Sequence, residues 1–178
     1  MANSKSLIAY FSRKGNNYVA GSIVNLPIGN TEVLAKKIQK LTGSDIFQIR
    51  TLKSYPEDYT ETTNVAREEQ RENARPELTE IVDDMDSYDV IYIGYPIWYG
   101  TMPMAVFTFL ESYDFSGKTI IPYCTHEGSG LGQSVRDIKK LCPNSRVLDG
   151  LAIKGGSVNR TQNDVSAWLH KLGISDKK

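Results

Sequence analysis

The sequence predicts an α/β fold, a three-layer sandwich whose five-stranded parallel sheet carries helices on both faces. Three observations lead there. Apolar runs of strand type recur at residues 7–11, 46–49, 90–95, 119–124 and 147–153, bounded by Gly, Pro, Asp or Ser. Segments with helical spacing of apolar residues lie between them. Strand alternating with helix calls for right-handed βαβ units and a sheet buried on both sides.

Taken in order, the first strand is LIAYF, followed by a roughly fifteen-residue excursion and a helix with Leu34, Ile38 and Leu41 on one face. The second strand leads to residues 59–75, where only Val65, Ala66 and Ala74 are apolar, which suits a solvated helix or arm over the second crossover. The third strand precedes a helix from about Met104 with Val106, Phe107 and Leu110. The fourth precedes one from about Gln133 with Val135, Ile138 and Leu141. After the fifth strand, Val165, Trp168, Leu169 and Leu172 mark the last helix. No repeat, low-complexity tract or linker divides the chain, so residues 1–178 are expected to form one domain.

Composition excludes several classes. With 21 Lys+Arg against 21 Asp+Glu, the chain has no electrostatic footprint for nucleic acid or an anionic membrane. Two cysteines and two histidines in no ligand spacing predict neither a disulfide framework nor a metal site. No apolar run approaches the ~18 residues of a membrane span, and the run in MANSKSLIAYFS is too short for a signal peptide. A soluble, cytoplasmic protein is expected.

In an open parallel sheet, ligands bind outside the carboxyl ends of the strands. After the first strand comes Ser12-Arg13-Lys14-Gly15-Asn16-Asn17-Tyr18, then Gly29-Asn30-Thr31 opening a helix. Hydroxyl, amide and glycine residues at a helix N-terminus offer donors to a phosphate. The same residues are common helix caps, so Asn30 or Thr31 capping the helix stands beside the phosphate reading. Arg13 is the only obvious nearby charge, and the absence of G-x-x-x-x-G-K-[ST] disfavours a nucleoside triphosphatase. After the third strand, Pro96-Ile97-Trp98-Tyr99-Gly100 places two aromatics where one can stack on a planar ring, the other folding back as a plug. After the fourth strand, Thr125-His126-Glu127-Gly128-Ser129-Gly130-Leu131-Gly132 lets backbone amides approach a ligand. Its likeness to a dinucleotide fingerprint fails at Gln133, so NAD is disfavoured. His126 is better placed to hydrogen-bond than to catalyse, Cys124 to pack, and no catalytic residue is assigned.

Together the loops describe a site for a phosphorylated planar heterocycle. The motifs Tyr10-Phe11-Ser12-Arg13, Gly29-Asn30-Thr31, Gly94-Tyr95-Pro96-Ile97-Trp98-Tyr99-Gly100 and Thr125-His126-Glu127-Gly128-Ser129-Gly130 resemble those of small bacterial flavodoxin-like proteins over nearly the whole chain. The resemblance implies strand order 2-1-3-4-5 and bound FMN. It implies a flavin site drawn from Ser12, Arg13, Asn17, Gly29, Asn30, Thr31, Pro96, Ile97, Trp98, Tyr99, Gly100, Thr125, His126, Gly128, Ser129 and Gly130. The backbone at Tyr99-Gly100 is expected to face the flavin N5. Residues 14–28 interrupt the usual compact phosphate loop and suit a lid or a further phosphate contact through Asn16 or Asn17. The implied function is electron transfer through FMN to a redox partner protein; the alternative is an NAD(P)H oxidoreductase acting on quinones or similar small acceptors. Known carriers are typically acidic, whereas this chain is neutral. A response-regulator receiver shares the topology but needs acidic residues where this chain has Phe11-Ser12 and Tyr95-Pro96.

Overall fold

The structure is a computed structural model that describes residues 4–174. Its main sheet is built from β1 (Ser6–Tyr10), β4 (Asp45–Gln48), β5 (Val90–Pro96), β6 (Thr119–His126), β7 (Arg146–Val147) and β8 (Leu151–Lys154), all parallel. The spatial order is β4-β1-β5-β6, with β7 and then β8 against the outer side of β6. This is the predicted 2-1-3-4-5 order with one change: the fifth position, expected as a single strand over 147–153, is split. Pro122 explains the break. It cannot donate to a ladder, and opposite it Leu148–Gly150 leave the pairing before Leu151 resumes at Tyr123. Gly150 fits there because a Cβ would lie 3.1 Å from the Pro122 carbonyl oxygen.

The excursion after β1 is also a correction. It forms an antiparallel hairpin, β2 (Gly15–Val19) and β3 (Ser22–Leu26), separate from the main sheet. Ala20 and Gly21 make its two-residue turn, both at positive φ (51° and 89°), as a tight hairpin of right-handed twist requires.

Successive side chains of β1 point to opposite faces. Leu7, Ala9 and Phe11 join Ile91, Ile93 and Tyr95 beneath α3 (Met104–Glu111) and α4 (Ser134–Leu141). Ile8 and Tyr10 join Tyr92, Ile121 and Tyr123 beneath α1 (Asn30–Thr42) and α5 (Gln162–Lys171). The strands therefore read as continuous apolar runs, as strands buried on both faces do. The charged segment is a helix, α2 (Tyr59–Arg71), started by Asp58, whose carboxylate accepts the Glu61 N–H at 2.9 Å. It buries only Thr62 and Ala66 and packs against α3 and the hairpin. Among the described residues no helix is long and apolar enough to cross a membrane, and no cluster of His, Cys, Asp and Glu could hold a metal ion.

Candidate functional site

The chains leaving β1, β5 and β6 converge on one edge of the sheet around a cleft of about 560 Å³. Its wall includes Ser12, Arg13, Asn17, Asn30, Thr31, Pro96, Ile97, Trp98, Thr125, His126, Gly128 and Ser129 from the expected set. Gly29, Tyr99, Gly100 and Gly130 are not part of that wall.

At one end stands the start of α1. Ser12 Oγ accepts the Glu32 N–H at 3.1 Å, so the helix is capped from the preceding loop and not by Asn30 or Thr31. Gly29 makes this possible. A Cβ there would fall 2.1 Å from Ser12 Oγ and 2.8 Å from the Arg13 carbonyl oxygen, so the position needs space, its φ of −64° being ordinary. Thr31 is buried, and its hydroxyl meets that of Thr125 at 2.8 Å, tying the first loop to the third.

Arg13 and Asn17 do structural work. The Arg13 guanidinium donates to the carbonyls of Asn16, of Pro56 (2.8 Å) and of Glu57 (2.6 Å), pinning the hairpin root to the chain before α2. Burial lowers its pKa, opposed by Asp58 and Glu57. Asn17 Nδ2 donates to the carbonyls of Arg13 (2.9 Å) and Gly15 (3.1 Å), closing the same turn.

At the other end Ile97 N–H donates to the Thr125 carbonyl (3.0 Å), and Trp98 lines the wall half-buried. The Trp98 ring packs edge-on against Phe11 (5.3 Å) and Tyr55 (5.2 Å). Tyr99 and Gly100, both at positive φ (50° and 84°), are the central residues of a turn closed between Trp98 N–H and the Thr101 carbonyl at 2.8 Å. A tyrosine in the left-handed region is strained, and α2 holds it there. The Tyr99 hydroxyl donates to the Thr63 carbonyl at 3.0 Å, Gln70 Nε2 donates to the Tyr99 carbonyl at 3.2 Å, and the Arg67 guanidinium lies 5.5 Å from the ring. The Gly100 carbonyl accepts the Gln133 N–H at 2.8 Å. Both peptide oxygens of the turn are thus engaged outside the cleft.

His126 organises the third loop. Its Nδ1 accepts the N–H groups of Gly128 (2.9 Å) and Gly130 (3.1 Å), which leaves the proton on Nε2. Burial, helped by Lys154, holds its pKa below the ordinary histidine value, while Glu127 opposes. Gly130 acts through this bond, behind the wall.

Sequence reasoning missed Tyr18, Tyr59, Glu127 and Gly155, all in the wall. Tyr18 belongs to the unrecognised hairpin and stacks on Tyr59, the first residue of α2 (6.1 Å, 29°). Gly155 follows β8, where the Gly155-Gly156 pair beyond the fifth strand was the available signal. A larger groove, about 1030 Å³, runs along the other side of the hairpin past residues 48–57 and shares Ser12 and Arg13 with the cleft. The smaller cleft is the better candidate because all three strand-end loops meet there.

Comparison with known proteins bears on this arrangement. A candidate flavoprotein from Bacteroides eggerthii DSM 20697 is 29% identical, with 97% of this chain and 100% of that one covered at a TM-score of 0.78. A flavoprotein from Lactobacillus acidophilus NCFM, solved in complex with FMN, shares the fold at 21% identity and a TM-score of 0.62, covering 89% and 98% of the two chains. A Haemophilus influenzae flavodoxin is 28% identical over 106 residues, 57% of this chain, which spans about half (47%) of that protein's length. The family model described as Flavodoxin matches residues 5–172, so the edge cleft sits in a chain that belongs to the flavodoxin family.

Proposed function

We propose that this chain binds FMN non-covalently in the edge cleft and passes electrons through it between redox partner proteins. One observation carries the reading. The cleft offers neutral donors at the start of α1 (Ser12, Asn30, Thr31) at one end and the Trp98 ring at the other, the shape of a phosphorylated planar ring system. That the Lactobacillus acidophilus flavoprotein of the same fold holds FMN supports it.

FMN would supply the redox chemistry, and the protein's part is placement and tuning. Ser12, Asn30, Thr31 and Thr125 would hold the phosphate end, and Pro96, Ile97, Trp98, His126, Gly128 and Ser129, which line the rest of the wall, would surround the ring. The Nε2–H of His126 is a neutral donor held at fixed orientation by the two glycine N–H groups. Arg13 and Asn17 shape the loop, their side-chain donors turned to backbone carbonyls.

Charge neutrality favours a second reading, an FMN-dependent NAD(P)H oxidoreductase of quinones or similar acceptors, because bulk charge gives this chain no steering towards a protein partner. Steady-state turnover of the FMN-loaded protein with NADPH and a soluble quinone separates the two. Rapid turnover supports the enzyme; none, with facile reduction by a partner reductase, supports the carrier.

A further inference from the structure

The fifteen residues from Gly15 to Gly29 contain no Asp, Glu, Lys or Arg, in a chain of which 24% is charged. They include the whole β2–β3 hairpin. Its two strands differ in what covers them. On β2, the Asn16 carbonyl accepts from Arg13 and the Tyr18 ring stacks on Tyr59 of α2, so that strand is held by the rest of the fold. On β3, Ser22, Ile23, Val24 and Asn25 are all exposed, Ile23 at 56% and Val24 at 36%.

The turn fixes which backbone groups β3 presents. In a two-residue hairpin the residues flanking the turn, here Val19 and Ser22, exchange both main-chain hydrogen bonds, and the pattern alternates from there. Ser22, Val24 and Leu26 therefore turn their N–H and C=O groups to β2, while Ile23 and Asn25 turn theirs outward. Asn16 on β2 obeys the same alternation, its carbonyl pointing away from β3 to Arg13. Among the described residues no hydrogen bond reaches the outward groups of Ile23 or Asn25. Edge strands are ordinarily guarded by a lysine, an inward charge or a proline within the strand. β3 has none of these, and Pro27 lies just beyond its end.

We propose that β3 is a self-association edge, pairing antiparallel with β3 of a second copy of this chain about a two-fold axis through Val24. In that register Ile23 and Asn25 of one copy exchange main-chain bonds with Asn25 and Ile23 of the other. Val24 meets Val24 at the non-hydrogen-bonded position, where side chains lie closest, and the two Ile23 side chains meet on the diagonal of the opposite face. Charge selects this occupant. A strand without charge offers a charged partner nothing to pair with, a like strand brings no repulsion, and a net charge of zero removes the long-range repulsion between copies. Five residues a side fall short of the roughly 1,200–2,000 Å² of a stable interface, so the dimer is weak and reversible. The pairing does not depend on the flavin reading, since β3 lies outside the cleft wall.

Sedimentation of the full chain from about 1 µM to about 1 mM tests this, and the parent should pass from monomer to dimer with a dissociation constant of about 10–100 µM. Val24→Glu sets two like charges on the axis and should weaken association about tenfold or more. Val24→Thr, which keeps a β-branched side chain, should behave as the parent. Val24→Cys should form a disulfide-linked dimer under copper–phenanthroline oxidation, because Cys124 and Cys142 are buried and the axis brings the two introduced thiols together. Ser22→Cys, whose two copies stand about 13 Å apart along the strands, should not. The cross-link decides the matter if Val24→Glu fails to fold. A parent that stays monomeric throughout, a folded Val24→Glu variant that associates like the parent, or equal cross-linking of the Ser22→Cys and Val24→Cys variants overturns the proposal.

Discussion

Trp98 and Tyr99 are adjacent in the chain but belong to different parts of the molecule. The Trp98 ring is locked by Phe11 and Tyr55 beside the cleft, whereas Tyr99 is drawn onto α2 by Thr63, Gln70 and Arg67. Trp98→Ala should therefore weaken FMN binding by about 1–3 kcal/mol, a range taken from base–aromatic stacking, and Tyr99→Ala should leave it nearly unchanged in the same fluorescence titration. Thr31→Val should strand the buried Thr125 hydroxyl and cost about 1–3 kcal/mol of stability by urea unfolding even without ligand. For His126 the folded-state pKa is lowered, so the neutral ring is fully compatible with the fold above about pH 6.5, and its contribution is lost as pH falls from there through the lower folded value. An NMR titration should place His126 below its ordinary value, with the amides of Gly128 and Gly130 shifting in step; a value above it would contradict the Nδ1 acceptor role.

At the scale of elements, what was legible followed strong periodicity. The main strands and α1, α3, α4 and α5 fall where apolar runs and helical spacing put them, because each must bury a face of the sheet. The hairpin was not legible: its turn is Ala20-Gly21, not Asn-Gly or Asp-Gly, and β2 carries Asn16, Asn17 and Tyr18, which bury little and leave no apolar alternation. The split at Leu148-Asp149-Gly150 was written in a turn-type pair, but the apolar run on either side masked it. Arg13 shows the same limit within the site. The sequence offers a cation beside a phosphate loop, and only the fold reveals the carbonyls that occupy it. Arg13→Ala should therefore cost about 1–3 kcal/mol of stability and speed hydrogen exchange across residues 15–26, with the preference for FMN over riboflavin retained. Loss of that preference with unchanged exchange would return Arg13 to the phosphate.

For the whole molecule, the fold brings loops far apart in sequence to one sheet edge, the edge at which open parallel sheets bind ligands. Residues 12, 30, 98 and 126 come together because β1, β5 and β6 are neighbours running the same way. The neutral net charge leaves binding at this edge to local donors and aromatic surface instead of a long-range field. The central claim is that a phosphorylated flavin sits there with its phosphate on the start of α1. Parallel titrations with FMN and riboflavin, followed by quenching of flavin fluorescence, test it most directly. The structure predicts one FMN per chain and riboflavin bound weaker by about 1.5–3 kcal/mol, the worth of charge-assisted hydrogen bonds to the phosphate. Equal affinity for the two would contradict it.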